Sequence, residues 1–429
     1  ENTNASAGAP KLPTDIKAEE LIDSARDALQ SQNYRVALEL LQRAAEKEPK
    51  SKRAYNLLGD AYMGNRQFSE AEAAYRKQLA IDNFDQFAHS RLARSLWAQR
   101  KMEDAAKVFQ EQLEVNPLDS DATEALGELF LELKRYEEAV PVLERAVSLE
   151  PENAISHSNL GRAYLNLKRD KDAAQSFDKA VELQPNPLLW NNIAYELAQS
   201  NSNLEKAQEY AESALASVTS SLRNVSVEHV SMRDIAGVSA LGSYWDTLGW
   251  VAYKRGEIAK AKKYIEASWR LSHSAEVADH LGQIYEKEGK RDEAIRFYAQ
   301  ALSAERPVPD TKARLAKLAG DAKKVAELQE KHKVESEAIR TFKLKNASGK
   351  VGKADFFVVL ATGSKDAEVK FIYGVDELKP MAAQIKALDY GAVFPDTVPT
   401  KIVRRGSLDC KATDCVFVLQ VPETITSVN

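Results

Sequence analysis

Cys410 and Cys415 are the residues whose types and spacing most clearly allow specific chemistry, and they are the only cysteines of the 429-residue chain. Two thiols at this spacing can form a disulfide, supply two ligands to a zinc ion, or remain as free buried thiols. Zinc needs two further ligands, and the nearest histidine in sequence is the distant His332. We therefore predict a disulfide, worth only about 2 kcal/mol in the chain-entropy model, that adds local rigidity, and free thiols remain the alternative.

Catalytic chemistry has little support in the sequence. The chain contains no Gly-rich phosphate loop, no His-Glu-x-x-His and no G-x-S-x-G motif. A reaction would need a hidden cluster around His229, Arg233 and Asp234, for which no substrate can be named. His89 and His157 occupy equivalent positions of a repeat, which favours a role in packing. We predict a protein that is not an enzyme and has no cofactor and no metal.

Composition restricts the partners and the compartment. The sequence is 44% hydrophobic and 29% charged, and it has no run of 18 apolar residues that could cross a bilayer. Its 59 basic and 64 acidic residues give a net charge of −5, which does not favour nucleic acid. Two cysteines near the C-terminus and none in the helical region favour an oxidising, extracytoplasmic compartment. The small, polar first residues are typical of a chain after signal-peptide removal, although artificial shortening of the chain explains them equally well.

The secondary-structure elements that would position any site belong to a sequence repeat of about 34 residues. Pro117, Pro151 and Pro185 recur at this interval, and Pro49 lies two intervals before the first of them, with Asn83 at the missing step. Small residues recur with the same period, and a leucine or aromatic residue follows each by four positions. The small residues are Ala37, Ala71, Ala105, Ala139 and Ala173, and the large ones are Leu41, Tyr75, Phe109, Leu143 and Phe177.

This pattern resembles the tetratricopeptide repeat, in which each unit is a pair of antiparallel helices. The resemblance implies a mainly α fold, a right-handed superhelical solenoid of about eight hairpins over residues 18–309. Residues 216–241 interrupt the period, and their Ser/Val-rich composition predicts a loop or an irregular insertion. An arm over residues 1–17 precedes the array, and residues 310–345 are predicted to cap it with helices.

A small α+β domain is predicted after a linker at residues 346–352. Within 353–429, strands are expected at 354–361, 368–373, 401–408 and 415–421, and a helix at 376–388. The order of these elements, with Gly374 before the helix and Phe394-Pro395 after it, resembles the C-terminal domain of the TonB family. The resemblance covers about seventy residues and implies contact with envelope proteins. We expect this chain to share the fold of that domain and not its activity.

The resemblance to the tetratricopeptide repeat also implies a groove lined by the first helix of each hairpin. The matching positions here are Phe87, Arg94, Trp97, Glu128, Leu131, Asn159, Arg162, Leu165, Asn192, Trp250 and Tyr253. Asn159 and Asn192 stand where the family holds an extended peptide backbone. Trp97, Leu131 and Leu165 form either an apolar ladder in the groove or part of the core. The mixed charges disfavour a receptor for acidic chain termini.

Two functional hypotheses follow. In the first, a bacterial extracytoplasmic scaffold binds a partner segment in its groove and docks onto a second protein through the C-terminal domain. In the second, the chain is a structural subunit that binds copies of itself head to tail in a filament or tube. A strand-like tail at 423–428 could then pair with the sheet of a neighbouring copy.

Overall fold

The computed structural model describes residues 16–421 except residues 86, 305–306, 322, 363, 365 and 395–397. Residues 1–15 of the arm predicted at 1–17, and the whole tail predicted at 423–428, therefore lie outside the described residues. The chain divides into two compact units, Glu1–Leu183 and Gln184–Asn429.

The first unit consists of five helical hairpins. Its helices are α1 (Ala18–Gln30), α2 (Tyr34–Lys47), α3 (Lys52–Gly64), α4 (Phe68–Ile81), α5 (Ala88–Ala98), α6 (Met102–Val115), α7 (Ser120–Glu132), α8 (Tyr136–Leu149), α9 (Ala154–Asn166) and α10 (Asp170–Leu183). Side chains of Ser51, Asp119 and Asn153 accept hydrogen bonds from the first backbone N–H groups of α3, α7 and α9. These caps satisfy donors that a helix start leaves without partners.

Close approach of the two helices in a hairpin depends on small residues. A Cβ atom on Gly127 of α7 would lie 2.4 Å from Leu143 Cδ2 of α8, and one on Gly161 of α9 would lie 2.7 Å from Phe177 Cδ1 of α10. Leu143 and Phe177 are both buried. The large residue of the second helix therefore fills the space that the missing side chain leaves on the first.

The second unit contains three more hairpins, three further α-helices and a sheet. Its helices are α11 (Pro187–Gln199), α12 (Leu204–Leu222), α13 (Met232–Lys254), α14 (Ile258–Ser272), α15 (Ala275–Lys287), α16 (Arg291–Leu302), α17 (Thr311–Ala319), α18 (Lys324–Ala338) and α19 (Ala382–Lys386). Its strands are β1 (Thr341–Lys345), β2 (Gly352–Ala361), β3 (Glu368–Gly374), β4 (Lys401–Cys410) and β5 (Asp414–Leu419). A 3-10 helix at Asp376–Met381 leads into α19.

The five strands form one antiparallel sheet in the order β1-β5-β4-β2-β3. Alternate residues of β4, among them Ile402 and Leu408, are buried in the same apolar core as Tyr244 and Trp245 of α13. The sheet therefore buries one face against the helices of its own unit. The other face carries the polar residues of the intervening positions, as expected for an antiparallel sheet with one solvated side.

The fold class predicted from the sequence is confirmed, with eight hairpins in the described residues followed by a small antiparallel sheet. The irregular insertion expected at 216–241 is largely helical instead. The helix α12 continues to Leu222 and α13 begins at Met232, because Val218, Leu222 and Val238 bury apolar side chains on the extended helices. A capping box at Ser231 and Asp234 starts α13.

Two other predicted boundaries also differ from the structure. The strand β1 lies inside the region predicted as capping helices, and residues 346–351 connect β1 to β2 within the sheet. Phe342 of β1 contacts the rings of Tyr390 and Phe417, so apolar packing stabilises the strand. The helix predicted at 376–388 is a 3-10 turn followed by a short α-helix, with Pro380 at the junction.

Candidate protein-binding surfaces on the first helices

Three glutamates line one face of α7 in the first unit. Glu124, Glu128 and Glu132 are spaced by four residues, which places their side chains above one another on a helix. Glu124 accepts a hydrogen bond of 2.9 Å from Asn153 Nδ2. Glu132 accepts one of 3.1 Å from Trp97 Nε1 of α5. The two outer carboxylates are therefore held by side chains that belong to the preceding and following hairpins.

Glu128, between these two, is exposed and has no hydrogen-bond or ion-pair partner among the described residues. Partial burial of its carboxyl group and the charges of Glu132 and Glu124 raise its pKa. Arg162 and Arg94 attract the ionised form and act in the opposite direction. Glu128 is thus an incompletely neutralised carboxylate with cations nearby but none in contact.

The structure divides the groove residues predicted in the first unit into two groups. Phe87 and Arg94 are exposed, and Trp97, Asn159 and Arg162 are half-buried. Leu131 and Leu165 are 2% and 0% exposed, so these two belong to the core and offer no surface to a partner. Of the two alternatives for these leucines, the structure favours the core over an apolar ladder in the groove. Trp97 itself rests edge-on against Phe109, with ring centroids 6.4 Å apart.

An aromatic stack organises the first helices of the second unit. The indole of Trp250 on α13 lies parallel to the ring of His280 on α15, with centroids 3.9 Å apart. The ring of Tyr253, on the same helix as Trp250, also stacks on the indole, at 4.9 Å between centroids. The Trp250 Nε1 donates a 3.3 Å hydrogen bond to Gln199 on α11. Trp250 is only 3% exposed, so this predicted groove residue supports the surface while its neighbour Tyr253 is partly exposed.

His280, a member of this stack, also forms a buried ion pair. His280 Nδ1 is 2.9 Å from Asp246 Oδ1, and both residues are buried. Burial lowers the pKa of His280, but the charge and hydrogen bond of Asp246 outweigh it, so the pKa is raised. Tyr195 of α11 donates a hydrogen bond to the exposed Glu276 of α15. These contacts fix the relative positions of α11, α13 and α15.

Lysine side chains lie over the faces of the same aromatic residues. Lys254 Nζ lies 4.9 Å from the centre of the Trp250 ring, and Lys287 Nζ lies 4.9 Å from that of Tyr253. Burial lowers the pKa of Lys254. Asn192, predicted to hold a peptide backbone, is exposed on α11. The second unit therefore presents basic groups over stacked aromatic rings.

Sequence reasoning did not identify His280, Asp246, Lys254, Tyr195 or Glu276. A signal existed for the first two, since they are 34 residues apart and so occupy equivalent repeat positions. The interruption of the period at 216–241 concealed it, because the register of the later hairpins had to be set again from Trp245 onwards. The other three are common surface residue types whose contacts only the structure reveals.

In the sheet, Cys410 and Cys415 are joined by a disulfide between paired residues of β4 and β5. The polar sheet face forms an open cleft of about 1070 Å³. Arg405 and Asp355 make an ion pair of 2.6 Å in it, and Arg405 also donates to the hydroxyl of the exposed Tyr373. The other lining residues include Lys343, Lys353, Ser407, Val416, Val418 and Gln420.

Comparison with known proteins identifies the repeats. Residues 22–85, 90–148, 130–194 and 278–312 match the sequence pattern described as the tetratricopeptide repeat. No curated protein matches the chain. The part of the chain that the structure describes contains no helix long and apolar enough to cross a membrane.

Several solved structures resemble part of the chain. The crystal structure of MamA protein is 18% identical, with a TM-score of 0.38, over 39% of this chain and 92% of that one. MamA from Desulfovibrio magneticus RS-1 is 22% identical, with a TM-score of 0.38, over 40% and 98%. YrrB, described as a TPR protein with an unusual peptide-binding site, is 22% identical, with a TM-score of 0.37, over 40% and 89%. Residues 22–85, 90–194 and 278–312 of this chain are tetratricopeptide repeats.

Proposed function

We propose that the protein is a non-enzymatic scaffold that binds a partner segment on the first helices of its repeats, and that this segment places a basic side chain against Glu128. Tetratricopeptide repeats build extended surfaces for binding other proteins. The observation that carries the specific proposal is the state of Glu128, an exposed carboxylate with a raised pKa and no contacting cation among the described residues. A lysine or arginine from a partner would supply that cation.

The neighbours of Glu128 make the site selective. Trp97 and Asn153 hold Glu132 and Glu124 in place, so a partner meets a fixed row of carboxylates. Arg94 and Arg162 flank the row. A partner with several adjacent basic residues would face repulsion from these arginines, whereas a single basic residue next to acidic or neutral ones would not. The proposed ligand is therefore an extended segment with a single basic residue between acidic or neutral ones.

The second unit offers a surface of the opposite kind. Lys254 and Lys287 lie over aromatic rings that the His280–Asp246 pair keeps in position. Such a surface favours an acidic or aromatic side chain of a partner. Half-buried Tyr253 provides the rigid, amphipathic contact that is common at binding hot spots.

The proposal also includes an extracytoplasmic location in a bacterium and docking of a second protein in the cleft of the sheet. The Cys410–Cys415 disulfide supports an oxidising compartment. The cleft, lined by Arg405, Tyr373 and the partly exposed Val416, supports docking because it combines apolar and charged groups.

Binding of further copies of the chain is the second candidate function, and light scattering over a range of concentrations distinguishes it by a rise in mass above 47.6 kDa.

A peptide selection tests the proposed function. Random 12-residue peptides displayed on phage are selected against the whole protein and against Glu128→Lys. We expect the wild-type protein to enrich peptides with one lysine or arginine. The Glu128→Lys variant should lose that preference, because it adds a cation where the partner's basic side chain would lie.

The matched control is Glu137→Lys, which makes the same charge change on α8, at an exposed glutamate outside the row. The control should enrich the same peptides as the wild-type protein. Loss of the preference in both variants would point to a general effect of charge, and enrichment that survives Glu128→Lys would refute the proposed site.

A further inference from the structure

Three successive connections between hairpins of the first unit carry large apolar side chains on their surface. They join α4 to α5, α6 to α7 and α8 to α9. Phe84 in the first is 82% exposed, Leu118 in the second is 75% exposed, and Ile155 at the third is 56% exposed. Phe84 and Leu118 are 34 residues apart, so they occupy equivalent positions of the repeat. We call this surface the loop edge, and its residues are 82–87, 116–121 and 150–155.

Hydrogen bonds between hairpins hold these connections beside one another. Asp119 Oδ2 of the second connection accepts a bond of 3.3 Å from Ser90 Oγ, near the start of the helix that follows the first connection. Ser120 Oγ, next to Asp119, donates a bond of 2.5 Å to Glu150 of the third connection. The three connections therefore follow one another along one edge of the first unit, and their exposed side chains belong to one continuous surface.

Short-range hydrogen bonds also fix the backbone of the loop edge. Asp82 Oδ1 accepts a bond of 3.1 Å from the backbone N–H of Phe84, and Asp119 Oδ1 accepts one of 2.9 Å from that of Ala122. Such side-chain bonds to the following residues determine the conformation of a turn. The apolar side chains are therefore attached to a preformed backbone, which loses little conformational freedom when a partner binds.

The charge of the loop edge differs from that of the chain. The whole sequence has 59 basic and 64 acidic residues, whereas the loop edge has no basic residue and six acidic ones. The acidic residues are Asp82, Asp85, Asp119, Asp121, Glu150 and Glu152.

Only part of this negative charge is neutralised by neighbouring helices. Lys52 Nζ lies 2.8 Å from Asp82, and Arg145 donates a hydrogen bond to the backbone carbonyl of Pro117. Asp121 and Glu152 are exposed and have no hydrogen-bond or ion-pair partner among the described residues. The loop edge therefore combines exposed apolar side chains with an excess of carboxylates.

We propose that the loop edge is a docking surface for an amphipathic segment of another protein, in which lysine or arginine residues flank apolar ones. Burial of Phe84, Leu118 and Ile155 would supply the apolar contact, since exposed apolar patches with polar rims are typical of interaction sites. The carboxylates complement the basic residues of the segment and repel anionic lipid headgroups, so the charge favours a protein over a membrane. This surface requires no contact with Glu128 and is additional to the proposed function.

The test measures the binding of three labelled 14-residue peptides to the whole protein by fluorescence anisotropy. One peptide has leucine and lysine in an amphipathic helical pattern, the second has glutamate in place of lysine, and the third has serine in place of leucine. We expect the leucine–lysine peptide to bind about tenfold or more tightly than either other peptide, because only it offers both apolar and basic groups. Its affinity should fall with added salt.

Two variants locate the binding surface. The double substitution Phe84→Ser and Leu118→Ser should weaken binding of the leucine–lysine peptide about tenfold, and Glu152→Lys should weaken it about fivefold. The exposure of all three side chains leaves the fold intact, and an unchanged Tm checks this.

Matched controls make the same changes elsewhere. Leu188→Ser with Met232→Ser alters two exposed apolar side chains of the second unit, and Glu137→Lys reverses a charge on α8. Both controls should keep the wild-type affinity, as should Glu128→Lys. Loss of binding in Glu128→Lys alone would assign the peptide to the surface of the proposed function and overturn the loop edge as a separate site.

Other results would also overturn the proposal. These are equal affinities for the lysine and glutamate peptides, or an unchanged affinity in the Phe84 and Leu118 double variant. Light scattering without peptide tests a second copy of the chain as the occupant, which a rise in mass that only the double variant abolishes would establish instead. Sedimentation with vesicles of phosphatidylcholine and phosphatidylglycerol tests a membrane in the same way.

Discussion

Gly59 of α3 lies so close to the ring of Tyr75 that a Cβ atom there would be 2.3 Å from Tyr75 Cε1. The ring cannot easily move, because Tyr75 is buried and its hydroxyl donates a 2.7 Å hydrogen bond to Asp60. The same arrangement recurs in the second unit, where Gly282 faces Tyr298 and the Tyr298 hydroxyl donates to Glu286. Single glycines thus set the spacing of the helices within a hairpin.

Gly59→Ala is expected to destabilise the protein by about 1 to 3 kcal/mol, the usual cost of overpacking a core. This loss should exceed the gain of about 1 kcal/mol from the better helix propensity of alanine. The measurement is the urea concentration at half-unfolding. Gly237→Ala on α13 is the control, since its new Cβ would be 3.2 Å from the nearest atom and should cost little or stabilise. Equal effects of the two substitutions would contradict the explanation.

The Asp246–His280 pair gives a second prediction at this scale. The folded state raises the pKa of His280 above the unfolded value of about 6.5. The stabilisation by the ionised pair is therefore fully present below about pH 6.5 and is lost as the pH rises through the folded pKa. Asp246→Asn should lower stability by about 3 kcal/mol at pH 6 and by less at higher pH.

Urea unfolding of wild type and Asp246→Asn from pH 6 to pH 9 checks this prediction. Asp104→Asn on the exposed face of α6 serves as the control for loss of a carboxylate. A difference between wild type and Asp246→Asn that stays constant with pH would show that the pair is not ionised in the folded protein.

At the scale of elements, the turn inside each hairpin has a shared backbone conformation. Gln32, Arg66, Arg100, Lys134 and Lys168 all have φ between 54° and 64°, and one of them stands in each of the first five hairpins. Gly256 and Gly289 take this left-handed conformation in later hairpins. Residues with a side chain adopt it only with steric strain, which glycine avoids.

Lys134→Gly is therefore expected to stabilise the protein by about 0.5 to 1 kcal/mol, since relief of strain exceeds the entropy lost by the more flexible chain. Thermal and urea unfolding measure the change. The matched control is Lys107→Gly within α6, where the backbone is helical and glycine should destabilise by about 1 kcal/mol. If both substitutions destabilise, the left-handed turn is not strained in this chain.

Hairpins were predictable from the sequence because each repeats the same small and large residues at the same positions. Four of the five strands were predictable from their runs of β-branched and aromatic residues. The strand β1 was not, since TFKLK is short and follows a charged helix. The partial exposure of Trp97 and the burial of Leu131 could not be separated either, because the two residues are one repeat length apart and fit the same register.

For the whole molecule, the proposed function depends on the groups that the repeats leave incompletely neutralised. In the first unit, that group is Glu128 among three carboxylates. In the second unit, these groups are the half-buried Lys254 and the exposed Lys287, which lie over aromatic rings. We propose that such a scaffold distinguishes partners by the charges along the bound segment.

The most direct test of this account is a charge-reversal cycle at Glu128. The affinity of one selected peptide, and of the same peptide with its basic residue changed to glutamate, is measured by calorimetry for the wild-type protein and Glu128→Lys. We predict that each single change weakens binding about five- to tenfold, and that the doubly changed pair recovers most of the affinity, a coupling of about 2 kcal/mol. Additive losses in the doubly changed pair would contradict a contact between the peptide cation and Glu128.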